Sequence, residues 1–452
     1  MKTFLTKKVV FPLFLWKDGL RGFSRNLRAL RASQYWTDDR MNDYQLQSLK
    51  NLISHAYNKS IFYKQRWDSM GLKQEDIRSF SDFARLPVLT KNDIKEHLSD
   101  ILTRPATGAD LYHAISGGTT GISIDVYNDS DSLTRKHAAL TRFEEWGGWR
   151  MGEWQSLVWP AAVDMAKTTL KGKLRNILCE KAISLQMAVI EDEDIRVHLK
   201  ELSVKRPTTI RGFPSQLTEV ARYIHREGVL VPPLRGVITT GEPLWPGDRQ
   251  VIESAFKCSV FDSYRTREVG PIAQECENHD GLHVSAETVY LEIMPLPQVD
   301  LTTSDGIDQG SIIVTDLTNY AMPLIRYQIG DIGSLRRSSC SCGRGLPLLD
   351  NIGGRLTDVL YTCEGKKIAP VSIIPKLFHL LGIMNQFKVV QEAFDQLRVV
   401  IKLPKPPVDL LDRQRKVIED IFGKKIQVTY DFVDEIPPLP SGKYPFIESR
   451  IR

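Results

Sequence analysis

The pattern of apolar and polar positions changes character twice along the chain. From Asn42 to about Leu102, apolar residues recur at helical spacing, as in YQLQSLKNLISHAYNKSIFYKQRWDSMG, which stops at Gly71. In LPVLTKNDIKEHL, Thr90 stands where it would cap a helix carrying Ile94 and Leu98 on its apolar face. Residues 1–105 are therefore expected to form a mostly helical lead-in. From about residue 110 to 330 the text breaks into short apolar runs, QSLVW, TIRGF, RGVITTG and SVFDSY, separated by amphipathic stretches. Strands alternating with helices predict an α/β architecture. The stretch MPLPQVDLTTSDGIDQGSIIVTDLTNYAMPLIRYQIGDIG predicts β-hairpins with turns at SDG and DQG. Beyond Gly354, QLRVVIKL and RQRKVIEDIFGKKIQVTYDFV read as a smaller mixture of strands and helix. The expected division is a large multi-sheet α/β domain over 1–354 and a small, mobile α+β domain over 355–452. No internal repeat or low-complexity tract interrupts it.

Length agrees with that division, because 452 residues exceed what one hydrophobic core usually organises. The formal charge of +5 is too small over this length to indicate a nucleic-acid partner. VVFPLFLW (Val9–Trp16) holds a proline and is far short of the roughly 20 apolar residues that span a bilayer. The basic KDGLRGFSRNLRALR that follows has no small-residue cleavage site, so a cytoplasmic location is expected. With Leu20, Phe23, Leu27 and Leu30 interleaved among its cations, this segment fits either peripheral contact with an anionic membrane or a helix packed on its own domain. Cys179, Cys258 and Cys363 stand alone and are expected to be small buried residues.

Chemistry concentrates first in ISGGTTGISIDVY, where Ser116, Gly117, Gly118, Thr119, Thr120 and Gly121 supply three hydroxyls and three glycines in succession. Glycines let backbone N–H groups turn inward and hydroxyls add donors, a combination suited to polyphosphate, although no lysine follows as it would in a Walker loop. The alternating Ile122, Ile124 and Val126 would anchor this loop as a strand. Four further stretches follow in order: TTGEPL (Thr239–Leu244), DSYRTREVG (Asp262–Gly270), PLIRYQIGDIG (Pro323–Gly333) and LPSGKYPF (Leu439–Phe446).

The set resembles the adenylate-forming superfamily of acyl-CoA synthetases and adenylation domains, in particular the phenylacetate-CoA ligase branch with its CapK-like relatives, over nearly the whole chain. The resemblance implies that the loop from Ser116 to Gly121 holds the β and γ phosphates of ATP, and that Gly241, Glu242 and Pro243 line the adenine and acyl pocket. It implies that Tyr264 lies near adenine, Glu268 binds Mg2+, and Asp331 accepts hydrogen bonds from ribose. Lys443 would come from the C-terminal domain to stabilise charge as pyrophosphate leaves, and Arg355 would mark the pivot of that domain. Trp159, Phe213, Pro214 and Trp245 are candidates for an apolar acyl surface. Three positions depart from the family pattern: Arg265 replaces the usual Gly after the Tyr, Thr357 replaces an acidic residue after Arg355, and Ser123 replaces a Pro.

A second constellation is CENHDGLH (Cys276–His283) with CSCGR (Cys340–Arg344). Thiolates and imidazole are the ligands of tetrahedral Zn2+, and Cys276, His283, Cys340 and Cys342 make four, with His279 as an alternative to His283. The expected activity is ATP-dependent conversion of a carboxylic acid to an acyl-adenylate, then acyl transfer to CoA or another acceptor, in a setting of surface-polysaccharide synthesis implied by the CapK-like resemblance. Two alternatives remain open at this stage: an adenylyltransferase that leaves AMP on a hydroxyl, and a non-catalytic nucleotide-binding relative, to which Arg265 points.

Overall fold

The computed structural model describes residues 20–108, 110–116, 123–159, 176, 181–186, 191–296, 299–300, 309–336, 338–355, 360–368, 387–402, 408–437 and 447–451. The described lead-in is helical, with α1 (Phe23–Ser33), α2 (Asp38–Lys59), α3 (Ile61–Ser69), the single turn α4 (Phe80–Phe83) and α5 (Lys91–Ile101). Thr90 caps α5 as expected, its Oγ1 accepting from Asp93 N at 3.1 Å while the Asp93 carboxylate accepts from Thr90 N at 2.8 Å. Leu20, Phe23, Leu27 and Leu30 are all buried, the last three against Ala138 and Ala139 of α6 (Ser130–Trp146). The amphipathic stripe is thus used within the protein, where it removes apolar surface from water. No helix among the described residues is long and apolar enough to cross a membrane.

The centre of the molecule is an eleven-stranded mixed sheet in the order β10-β12-β13-β14-β9-β8-β7-β6-β5-β3-β4. One half is parallel: β3 (Gln155–Trp159), β4 (Ala182–Gln186), β5 (Thr209–Gly212), β6 (Gly236–Thr240) and β7 (Val260–Thr266). Between these strands run α7 (Asp192–Lys205), α8 (Pro214–Glu227) and α9 (Pro246–Phe256). All five residues of β6 are buried, as a parallel strand covered on both faces requires, which is why GVITT reads as a continuous apolar run. The other half is antiparallel: β8 (Gly270–Glu275), β9 (Leu282–Val284), β10 (Val289–Pro295), β12 (Gly310–Asp316), β13 (Tyr327–Arg336) and β14 (Leu348–Arg355). The antiparallel pairing expected there is present, although SDG and Asp308 of DQG lie outside the described residues.

The halves meet where β7 pairs antiparallel with β8, and within the antiparallel half the narrowest seam is at β9, a three-residue strand that pairs with β8 on one side and, through only Leu348↔His283 and Leu349↔Leu282, with β14 on the other. A separate hairpin of β1 (Leu111–Ile115) and β2 (Asp125–Asp129) flanks the glycine-rich loop. Regular pairing begins at Asp125, so Ile124 is buried just ahead of the strand and Val126 within it.

Toward the C-terminus, β11 (Val299–Asp300), β15 (Leu360–Tyr361) and β16 (Lys367–Ile368) form a small sheet. A four-stranded sheet of β17 (Phe387–Ala393), β18 (Gln396–Ile401), β19 (Gln427–Phe432) and β20 (Ile447–Ser449) carries α10 (Val408–Phe422). Its own core contains Phe387, Val389, Val399, Ile418 and Phe422, and Trp245 from the start of α9 packs into that cluster. This small mixed α+β unit beside a large α/β body is the fold class expected. Cys258 and Cys363 are only half-buried: Cys258 lies on the loop between α9 and β7 and Cys363 on a turn, places the spacing could not reveal.

Candidate active site and metal centre

Ligands of open α/β sheets sit in the crevice outside the carboxyl ends of the parallel strands. Here those ends carry Trp159 after β3, Phe213 after β5, Gly241 after β6, and Tyr264 and Arg265 at the end of β7, whose next neighbour β8 is antiparallel. Gly241 has φ +86, and a Cβ on it would come within 2.7 Å of the Phe213 ring, so both backbone and space require glycine. Glu242 Oε2 accepts from Ser215 N at 3.1 Å, placing a carboxylate at the N-terminus of α8, where unpaired N–H groups and the helix dipole favour it. Together these contacts fix the TTGEPL turn.

Tyr264 and Asp331, distant in sequence, are brought together across the sheet: the tyrosine hydroxyl donates to Asp331 Oδ2 at 2.6 Å. Tyr327, not singled out from the sequence, donates to Glu268 Oε1 at 3.4 Å, and its phenol is held well above its usual value by burial and then by the charges of Glu268 and Asp331. It therefore stays protonated as a donor. Both partners lie within motifs already legible, and the position of Tyr327 inside PLIRYQIGDIG, on the same strand as Asp331, is the available signal for it. Glu268 is buried, and its carboxylate is of the hard-oxygen type that Mg2+ takes.

The loop expected to hold phosphate is described at its base only. Ser116 is buried and its Oγ accepts from Ile124 N at 2.8 Å, while Ser123 Oγ donates to Ser116 O at 2.7 Å, so Ser116 closes the loop stem. Arg267 Nη1 donates to Ile115 O at 3.2 Å and ties the stem to the end of β7. The strand beyond is anchored by Lys136, whose Nζ donates to Asn128 Oδ1 at 2.6 Å and pairs with Asp316 at 2.7 Å. Gly117, Gly118, Thr119, Thr120, Gly121 and Lys443 lie outside the described residues. Arg355 ends β14, with its backbone in register with Asp331.

The second constellation closes into one cluster. The ligand atoms of Cys276, His283, Cys340 and Cys342 all lie within 4.8 Å of one another. Cys276 Sγ and Cys340 Sγ are 3.7 Å apart, far beyond a disulfide and close to the roughly 3.8 Å edge of a tetrahedron with Zn–S bonds of about 2.3 Å. Cys342 Sγ is 3.2 Å from His283 Nε2. His283 Nδ1 lies 3.4 Å from Leu346 O, so a proton on that nitrogen leaves Nε2 with its lone pair toward the thiols. Burial pushes the His283 imidazole down to about 4 and the Cys276 thiol up to about 12. The imidazole is thus neutral, as a ligand must be, while the thiol needs a cation to become thiolate. His279 is not part of the cluster: it has φ +51, lies 3.2 Å from Glu275 Oε2, and packs on Phe261 with ring centroids 4.7 Å apart.

Cys276 comes from the loop between β8 and β9, His283 from β9 itself, and Cys340 and Cys342 from the loop between β13 and β14, so an ion held by them would clip the sheet at its narrowest seam. Tyr264 and Glu268 belong to one side of that seam and Asp331 and Tyr327 to the other. Arg344 reinforces the clip, bonding Glu277 Oε1 at 3.0 Å and lying 4.7 Å over the Trp146 ring.

Residues 360–450 match the family model described as the CapK C-terminal domain. The chain is 24% identical over 426 residues to Protein CapK of Staphylococcus aureus, covering 91% of this chain and 89% of that protein. It is 22% identical over 433 residues to the phenylacetate-coenzyme A ligase of Thermus thermophilus, covering 90% and 94% respectively. Among solved structures, 2-hydroxyisobutyryl-CoA ligase in the postadenylation state with 2-HIB-AMP has a similar fold, with TM-score 0.70 and 21% identity over 92% of each chain. The amide bond synthetase McbA from Marinactinospora thermotolerans aligns with TM-score 0.51 and 17% identity over 75% of this chain and 67% of that one. Over about nine-tenths of its length the chain is thus similar to CapK and to phenylacetate-coenzyme A ligase, and it shares its fold with 2-hydroxyisobutyryl-CoA ligase.

Proposed function

We propose that this chain activates a carboxylic acid with ATP, forming an acyl-adenylate and releasing pyrophosphate, and then passes the acyl group to CoA or another acceptor. The observation that carries the reading is the Tyr264–Asp331 hydrogen bond beside Glu268 and Tyr327, at the carboxyl ends of the parallel strands. In this reading Asp331 accepts from the ribose hydroxyls and is oriented for that by Tyr264. Glu268 holds Mg2+, which would neutralise phosphate charge as the acid attacks. The glycine-rich loop from Ser116 to Gly121 folds over the β and γ phosphates, and Gly241, Glu242 and Pro243 form the wall between nucleotide and acid. Lys443 stabilises the developing charge as pyrophosphate departs, after the C-terminal domain from about Arg355 onward has turned onto the site. Zn2+ at Cys276, His283, Cys340 and Cys342 has a structural part only, since four protein ligands leave no open position. A setting in surface-polysaccharide assembly is the finer proposal, supported by the relationship to CapK.

Product analysis tests the reading. With ATP labelled in the α-phosphate and an accepted acid, free AMP is expected to accumulate once CoA or an amine is supplied. AMP retained covalently on a stable product would instead identify an adenylyltransferase.

A further inference from the structure

At the carboxyl end of β7, Tyr264 turns toward Asp331, and at the next residue, Arg265, the register with β8 shifts. There its Nε donates to Ser263 Oγ at 2.7 Å and its Nη2 to Gln274 Oε1 at 3.3 Å, both neutral acceptors. Arg211, at the end of β5, reaches the same neighbourhood from the side, pairs with Glu144 of α6, and lies 5.8 Å over the Trp159 ring. Trp159 in turn packs edge-on against Phe213 with centroids 4.9 Å apart, and Phe213 abuts Gly241.

The charges do not balance. Two guanidinium groups face each other's field, and Glu144, the carboxylate that interacts with them among the described residues, forms its ion pair with Arg211. Arg265 makes no ion pair among the described residues, and it is only partly exposed. Burial and then the Arg211 charge push its guanidinium down to about 9. A partly buried cation without an ion pair of its own is costly, and the protein retains it at the carboxyl end of β7, in the field of Arg211, whose guanidinium lies over Trp159. A planar guanidinium with a free edge is the group that best receives a carboxylate or phosphate.

We infer that the acid activated by this enzyme carries a second anionic group, a carboxylate or a phosphate, which Arg265 receives while the Trp159–Phe213 pair lines the intervening part of the acyl pocket. This rests on the reading of the chain as an acid-activating ligase and names its substrate class. A hydrogen bond to a charged group is worth roughly tenfold to a hundredfold in discrimination when one partner would otherwise be left unsatisfied.

The test is ATP–pyrophosphate exchange with matched acids: glutarate against its monoamide and against valerate, phenylene-diacetate against phenylacetate, and ω-phosphorylated acids of the same lengths. Wild-type protein is expected to show kcat/KM at least about tenfold higher for the dianionic member of an accepted pair. In Arg265→Met the ratio is expected to fall to within about twofold of one, with Arg265→Lys between the two. Thermal shift with ATP verifies that each variant is folded, and the wild-type ratio decides by itself if a variant is not. Preference for the neutral partner in every pair, or a dianion preference untouched in Arg265→Met, would overturn the inference. Exchange with monoacids alone would defeat this inference yet leave acid activation standing, whereas no exchange with any acid would defeat the parent reading.

Discussion

Removing Zn2+ from its proposed site at Cys276, His283, Cys340 and Cys342 should weaken the protein and, separately, its hold on ATP. The seam at β9 depends on two register pairs to β14, so little backbone bonding opposes its opening once the four side chains cease to share an ion. An ion that binds only the folded state contributes RT ln(1 + [L]/Kd), about 2.7 kcal/mol at a hundredfold excess over Kd. For a folding unit of a few hundred residues each kcal/mol moves Tm by about 2–4 °C, so chelation or Cys340→Ser is expected to lower Tm by roughly 5–10 °C. Opening the seam also separates Tyr264 from Asp331, whose 2.6 Å hydrogen bond crosses it. Loss of a hydrogen bond to a charged group costs about 1.5–3 kcal/mol, so KM for ATP should rise at least about tenfold in protein still folded below the new Tm. Elemental analysis, thermal melts with and without chelator, and ATP titrations measure the three parts. Protein free of zinc as purified, with the same Tm and ATP affinity in Cys340→Ser, would refute the account of the seam.

Three more outcomes follow. Tyr264→Phe removes the donor to Asp331 while keeping the ring, and is expected to raise KM for ATP by about 10- to 100-fold with little change in Tm; initial rates at varied ATP measure it. Lys443→Ala is expected to abolish adenylation while leaving the far-ultraviolet circular dichroism and melting curve unchanged, because its proposed part is confined to charge developed in the reaction. Asp262 is buried against Thr239, and burial followed by the Glu275 charge pushes its carboxyl up to about 7. A carboxyl raised in the folded state contributes stability at low pH that is lost as pH climbs from the ordinary carboxylate range to about 7. Asp262→Asn, whose amide oxygen can still accept from Thr239 and Ser263, should therefore stabilise the protein at pH 8 by about 1–3 kcal/mol and much less at pH 5, as read from denaturant titrations at the two pH values.

Much of this site could be read from sequence because its parts are local. The Gly241 turn, the Thr90 cap and the apolar run of β6 each depend on a few consecutive residues, whose conformational or burial demands appear directly as residue type. The metal cluster was half legible. Thiols and imidazoles announced the chemistry, but Cys276 and Cys340 are brought together only by the pairing of β9 with β14, and the spacing matches no local motif. Choosing between His279 and His283 needed the backbone, since a left-handed turn directs the first toward Glu275 while the strand directs the second toward Cys342. The polar floor around Arg265 could not be seen at all. Glu144 and Arg211 belong to a helix and a strand 67 positions apart, and nothing local distinguishes their pair from a surface one. Arg265 itself was visible as a departure from pattern, but its meaning came from the company of Arg211, Trp159 and Phe213.

The central claim, that this protein joins a carboxylate to the α-phosphate of ATP, is tested most directly by exchange of labelled pyrophosphate into ATP. Purified protein with ATP and Mg2+ is predicted to incorporate label only when an acceptable acid is present, at a rate that falls at least about a hundredfold in Asp331→Ala, which removes the ribose acceptor together with its hydrogen bond from Tyr264. Incorporation that needs no acid, or none with any acid under conditions where ATP is bound, would contradict it.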